Sequence, residues 1–394
     1  MKIIDVKTFV VNAYRTNFIF VKLYTDEGVT GVGEGTLEYK EHALLGAIED
    51  LRPYLLGQDP RQIEKHVFHM YRDSYWRTGP VLMSAISAVE MAMWDISGKC
   101  YGAPVCALMG GPVREEIRMY ANGWFAGAKK PEEFAAKARH AVEKGIRALK
   151  WDPFGSAYLT MERPQFAESI DCVAAVRDAV GGDVDLLIEG HGRFNVETAV
   201  RVARALEPYG PMFFEEPVPP DNLDALAEVH RRSPVPIAAG ERVYSLAVCR
   251  EFLQKGCADF FQPDPSHCGG ISAVRKMAAM AEPYYVGVAP HNPSGPVANA
   301  ACLHLAGCLT NYSILEIMVT DVAWRKKLTD EAVIFCQGAI KIPNREGLGV
   351  EIQEEVCQQH PYQPISLRHY RGTLTDIRPE GSRTCAYFRN FDWN

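Results

Sequence analysis

Residues 185–216 read DLLIEGHGRFNVETAVRVARALEPYGPMFFEE, and this stretch decides the fold. Two short apolar runs, 186–188 and 212–214, stand at its ends and close on Glu189 and Glu215, with loop and helix-like sequence between them. A strand, a crossover and a second strand is the repeating unit of a parallel sheet. Working outward, the unit recurs. IRALK ends at Lys150, PIAAGE at Glu241, DFFQPD at Asp264, VGVAPH at His291 and YSILE at Glu316, with helix-like stretches such as 221–232 and 271–282 after them. Seven such runs place a closed (β/α) barrel ahead of an open sheet. None is followed by a Gly-rich dinucleotide fingerprint.

From Glu189 onward every run ends in a residue capable of chemistry: Glu189, Glu215, Glu241, Asp264, His291 and Glu316, spaced 26, 26, 23, 27 and 25 residues apart. A βα repeat takes roughly 30 residues, so these fall one per strand at the C-terminal ends, where barrel active sites are built. Lys150 and Asp152 end the earlier run and belong to the same layer. One acid after a strand has a bland reading as a helix cap or half of an ion pair. Three on successive strands, crowded into one mouth, raise each other's pKa unless a cation joins them. All-oxygen ligands point to Mg²⁺, with Mn²⁺ as a substitute, rather than zinc.

His191 lies two residues after Glu189, so a continuing strand would point both side chains to one face. His291 ends a later strand and Asp264 the one before it, an arrangement that holds one imidazole nitrogen and fixes its tautomer. With Glu189 on strand three, His291 falls on strand seven, and the two histidines flank a bound substrate from opposite sides. His66 and His69 in a helical segment read as an ordinary amphipathic face.

The remainder sets the frame. Residues 16–35 read as a hairpin whose glycines at 28, 31, 33 and 35 serve a turn and close strand packing rather than a nucleotide loop. LMSAISAVEMAMWDISGK, 82–99, reads as a helix packed on several sides. The last 45 or so residues are polar and irregular, and are expected to return toward the first domain. The expected organisation is a cap over 1–117, a barrel over 118–350 and a C-terminal segment over 351–394. A net charge of −7 argues against nucleic acid as partner. The 11 scattered cysteines without CxxC spacing, and a beginning that suits a strand better than a signal peptide, point to the cytoplasm and away from a membrane.

Together TDEGVTGVGEG, GPVLMSAISAVEMAMWDISGK, IEGHGRF, FFEEPV, AAGERVYS, FQPDPSHCGGI and PHNPSGPVANAACLHL resemble the enolase superfamily, mandelate racemase subgroup, and within it the galactonate dehydratase family. The resemblance covers nearly the whole chain. It implies an N-terminal α+β capping domain over a modified (β/α)7β TIM-type barrel, assembled as a homo-oligomer. It implies Glu189, Glu215 and Glu241 as metal ligands and His291 with Asp264 as a dyad. His191 matches the second histidine of the sugar-acid dehydratases, and Glu316 the acid on the last strand. Two departures stand out. Glu189 replaces the usual aspartate, and Lys150-Trp151-Asp152 replaces a Lys-x-Lys motif, which removes a second lysine base.

The expected reaction is Mg²⁺-dependent dehydration of a small sugar acid, an aldonate such as galactonate. His291 takes the C2 proton, Mg²⁺ stabilises the enediolate, and His191 protonates the departing 3-hydroxyl to leave a 2-keto-3-deoxy acid. Glu316 assists at the other carboxylate oxygen, while Lys150, Asp152 and Arg193 contact substrate. The competing readings are a racemase, epimerase or cycloisomerase with the same dyad, and a barrel that binds without catalysis.

Overall fold

The computed structural model describes residues 1–330, 333–382, 385–386, 388–391 and 393. The chain opens on an antiparallel sheet of β1 (Ile3–Asn12), β2 (Asn17–Thr25) and β3 (Thr30–Glu34). Helices α1 (Glu41–Leu55), α2 (Ile63–Arg72) and α3 (Pro80–Tyr101) pack with it. The hairpin glycines do what close packing requires. A Cβ at Gly31 would lie 2.2 Å from the Ala92 carbonyl oxygen, and one at Gly33 1.8 Å from that of Ala88. Backbone therefore touches backbone, and α3 is buried on nearly every side. Its length and apolar composition would suit a membrane span, but 83% of the relevant window is buried within the protein.

After the short helix α4 (Val105–Leu108) the βα alternation begins. Its strands are β4 (Glu116–Asn122), β5 (Ala148–Trp151), β6 (Asp185–Glu189), β7 (Phe213–Glu215), β8 (Ile237–Ala239), β9 (Phe260–Phe261), β10 (Gly287–Val288) and β11 (Leu315–Met318). Its helices are α5 (Pro131–Glu143), α6 (Arg163–Val180), α7 (Val196–Leu206), α8 (Leu223–Arg232), α9 (Leu246–Lys255), α10 (Ile271–Ala281) and α11 (Pro296–Cys308). Neighbours pair in parallel from β4 to β10, β11 pairs with β4, and a Val288–Tyr312 bridge closes the ring. Eight strands and seven intervening helices make a (β/α)7β barrel.

Each strand gives one side chain to the barrel interior: Tyr120, Ala148, Leu187, Phe213, Ala238, Phe260, Ala289 and Ile314. Small residues sit among large ones, as filling a narrow barrel requires. Two residues further along a strand the same face reaches the mouth. That step leads to Asn122, Lys150, Glu189, Glu215 and Glu316, while Gln262 and His291 follow just past the ends of β9 and β10. The polar layer thus rests on the hydrophobic plug beneath it.

The cap is fastened to the barrel by trans-capping. Helices α10 and α11 begin after Gly270 and Gly295, which offer no side chain to their first N–H groups. The cap supplies the acceptors. Glu90 accepts from the N–H groups of Ile271 and Ser272 at 2.8 Å each, and Glu34 from those of Gly295, Val297 and Ala298 at 2.6, 3.1 and 2.9 Å. Buried carboxylates at two positive helix ends satisfy the orphan donors and the dipoles together. Both glycines are needed for this approach, since a Cβ at 270 or 295 would lie 2.0 or 2.6 Å from the carboxylate.

In the C-terminal segment Glu354 pairs with Lys22 of β2 at 2.6 Å. The segment then continues across the barrel mouth, which the sequence reading did not anticipate.

Candidate active site

The mouth encloses a cavity of about 380 Å³ whose walls come from the barrel, the cap and the C-terminal segment. On its floor, ligand oxygens of Glu189, Glu215 and Glu241 lie within 4.8 Å of one another. Lys150 Nζ stands among the carboxylates, 2.8 Å from Glu215, 2.9 Å from Glu316 and 3.2 Å from Glu189. One ammonium cannot balance four carboxylates. Burial, then Glu189, drives the Glu215 carboxyl well above its usual range, whereas His191 and Lys150 outweigh burial and hold Glu189 below it. Glu215 Oε2 is buried with no hydrogen-bond partner. An unpaired buried oxygen in an over-charged cluster is what a hard divalent cation relieves, so these residues fit Mg²⁺. Glu189 fits this cluster despite its extra methylene.

Two imidazole–carboxylate pairs flank the floor. His291 Nδ1 is 2.7 Å from Asp264 Oδ2, and its Nε2 faces Glu241 at 3.2 Å. His191 Nδ1 is 2.6 Å from Asp152 Oδ2. Burial opposes protonation of both rings. The carboxylates win, led by Glu241 for His291 and by Glu189 for His191, and hold both pKa values up. Asp264 is pulled below its ordinary value against burial, by His267 and His291. His267 is in turn held by Ser84 of the cap at 2.8 Å.

Several expected roles meet a different geometry. Strand β6 stops at Glu189, so strand alternation does not aim His191. That residue sits in a tight turn at φ +48°, with its N–H donated to Glu189 Oε1 at 2.7 Å. Asp152 lines the cavity, and its carboxylate binds His191 and Arg193. Arg193 is fully buried, and its donors are spent on Asp152 and the carbonyls of Gly190 and Gly155. It braces the turn rather than touching the cavity. Lys150 lines the cavity but is committed to the carboxylate floor. Glu316 accepts from Asn122 Nδ2 at 2.7 Å and the Asn292 N–H at 3.0 Å. Lys150, then His291, outweigh burial and hold it ionised.

Other residues also line the walls. Arg15, Glu38 and Tyr39 come from the cap, and Arg368, His369 and Tyr370 from the C-terminal segment. His369 lies 4.8 Å from the His191 ring, and Tyr370 OH donates to the His191 carbonyl at 2.8 Å. The available signal was the run LRHYR at 367–371, a basic and aromatic cluster inside an otherwise irregular tail.

A capped (β/α)7β barrel with three carboxylates on successive strands defines an enolase-type enzyme. Residues 4–110 match the mandelate racemase / muconate lactonizing enzyme N-terminal domain, and residues 133–356 the enolase C-terminal domain-like family. The chain belongs to this mandelate racemase / muconate lactonizing enzyme family. D-gluconate dehydratase of Thermoproteus tenax is 34% identical over 351 residues, covering 89% of this chain and 71% of that protein. D-galactonate dehydratase of Pectobacterium atrosepticum is 36% identical over 363 residues, covering 90% and 93%. A solved mandelate racemase/muconate lactonizing enzyme from Sulfitobacter sp aligns with a TM-score of 0.88 at 33% identity, covering 93% of this chain and 97% of that one.

Proposed function

We propose that the protein dehydrates a sugar acid with Mg²⁺, or Mn²⁺ in its place, removing the C2 hydrogen and the C3 hydroxyl to yield a 2-keto-3-deoxy acid. The observation that carries this reading is the pair of imidazole–carboxylate dyads facing one cavity above a three-carboxylate floor. The similarity to gluconate and galactonate dehydratases supports the same reaction class.

When bound by Glu189, Glu215 and Glu241, the cation supplies charge stabilisation at the substrate carboxylate. The protein's own groups do the rest. His291 takes the C2 proton on Nε2, the nitrogen that faces the floor, while Asp264 on Nδ1 fixes the tautomer and steadies the imidazolium. His191, held by Asp152, delivers a proton to the departing hydroxyl. Glu316 stays ionised and orients Lys150 instead of donating a proton. The cap and C-terminal segment keep bulk water out, which strengthens each of these charge interactions.

An aldonate and aldarate panel with Mg²⁺ and semicarbazide trapping tests the reading. A 2-keto product abolished by EDTA is expected. Exchange of the C2 hydrogen in D₂O without keto product would replace dehydration with epimerisation. In His291→Asn the exchange is lost. In His191→Asn dehydration is lost but elimination from a 3-fluoro analogue persists, because fluoride needs less acid assistance.

A further inference from the structure

The cavity has two chemically opposite ends. Its floor holds Glu189, Glu215, Glu241 and Glu316 with Lys150. Its roof, from the cap and the C-terminal segment, carries Arg15, Arg368, Tyr39 and Glu38. Arg15 is 5% exposed; Nη1 lies 3.3 Å from Glu38 and another amino group bonds the Pro293 carbonyl. Arg368 Nη1 donates to the Asp376 carbonyl at 3.0 Å. Two donor atoms of this roof, Arg15 Nε and Arg368 Nε, are shut off from solvent and have no hydrogen-bond partner, and the Tyr39 hydroxyl lies against Arg368.

A buried donor without an acceptor is costly, so unmet donors on the wall of a binding cavity mark where an acceptor belongs. The charge balance points the same way. Against burial, Arg15 and Arg368 hold Glu38 ionised, and among the residues lining the roof that one carboxylate faces two guanidiniums. The nearby Arg325 is matched by Asp321 at 2.6 Å and leaves the balance unchanged.

We propose that the roof seats a second carboxylate of the substrate, so that the acid taken by this site is a sugar diacid, bound floor to roof by its two ends. The inference rests on the sugar-acid reading above and departs from the monoacid that the resemblance implies. A neutral hydroxymethyl terminus leaves the roof's positive charge unanswered. A phosphate terminus brings about two negative charges, more than the imbalance requires. A planar carboxylate matches the guanidinium fork.

The test separates binding from turnover. The Mg²⁺-loaded His291→Asn protein is titrated by calorimetry with six-carbon diacids and with the monoacids of the same configuration. The diacid is expected to bind about tenfold tighter or better, the lower end of what a hydrogen bond to a charged group is worth. Arg368→Gln should erase most of that ratio. Tyr39→Phe, which removes one oxygen only, should reduce it in a protein whose fold is undisturbed. Equal or tighter binding of the monoacids overturns the proposal, as does a ratio that both substitutions leave unmoved. Tight diacid binding with no keto product from the wild-type protein would leave the subsite standing and overturn dehydration instead.

Discussion

The roof over the barrel mouth is attached along two borders built on different principles. Over β9 and β10, which lead to Asp264 and His291, the cap is fastened through buried carboxylates. Glu90 and Glu34 cap α10 and α11, and Asp95 accepts from the N–H groups of Val32 and Leu348 and from Lys99. Over the His191 side the roof is the C-terminal segment, held by separate tethers. Tyr370 bonds the His191 carbonyl, Tyr14 bonds Asp376, and the Gly127 N–H reaches Thr375. The base side of the site is therefore framed by buried carboxyl groups whose hydrogen bonds are satisfied. The acid side is closed by contacts that can open one at a time, as low-stability regions near active sites do.

Breaking the first border should have the largest effect. Glu34→Ala leaves the N–H groups of Gly295, Val297 and Ala298 and the Thr36 hydroxyl without their acceptor. Several buried donors lost together place the cost at about 3–5 kcal/mol, read as a lower urea midpoint, with activity falling as His291 shifts. Glu34→Gln keeps one acceptor oxygen and should lose less. A cost under about 1 kcal/mol for the alanine variant would mean that this border does not fasten the cap.

The same border should respond to acid. His304 of α11 is fully buried; its Nδ1 accepts the Cys106 N–H at 3.3 Å and its Nε2 donates to the Leu348 carbonyl at 3.2 Å. Only the neutral ring makes both bonds, and burial lowers its pKa from 6.5 to about 4. Between those values the ring binds more protons in the unfolded chain than in the folded one, so its own contribution to stability falls as pH falls. The slope reaches at most about 1.4 kcal/mol per pH unit. Urea titrations from pH 7 to 4 on wild type and His304→Gln should differ by this component, with the variant flatter. Parallel curves would show that His304 titrates alike in both states.

How much of this was legible in the sequence follows from which interactions are local. The barrel could be read because each strand announces itself as a short apolar run ending at the mouth. The site residues Glu189, Glu215, Glu241, Asp264, His291 and Glu316 came with it, since strand ends and catalytic layer coincide. The trans-caps could not be read. Gly270 and Gly295 look like weak helix starts until the acceptor from another part of the chain arrives. Asp152 and its partner His191 are 39 residues apart, and a positive-φ turn rather than strand alternation aims the histidine. Arg193 reads in sequence as a substrate contact, and in the structure it bonds three backbone carbonyls and Asp152.

Loosening the second border should cost less and cost it locally. Tyr370→Phe removes one hydrogen bond to a backbone carbonyl, worth about 0.5–1.5 kcal/mol. The global urea midpoint should hardly move, because the barrel does not depend on the tail. Amide exchange across residues 360–381 should quicken, and kcat should fall a few-fold as the His191 turn loses its outer support. A shift of the global midpoint as large as that of Glu34→Ala would erase the contrast between the borders.

The smallest effect is expected at Tyr14→Phe. Its hydroxyl meets Asp376 at 2.9 Å, but the side chain is 37% exposed and water can replace the bond. The cost should be below about 0.5 kcal/mol, as for surface substitutions generally. It still informs, because the tethers through Tyr14 and Tyr370 hold the same segment at Asp376 and Tyr370. If tethers act separately, Tyr14→Phe should quicken exchange only around residues 372–378 and leave kcat alone, and the double variant should show the sum of the two effects. Coupling between them, measured as non-additive exchange protection in the double variant, would mean that the segment closes as one body. The acid side would then be framed as cooperatively as the base side, through polar tethers instead of buried carboxylates.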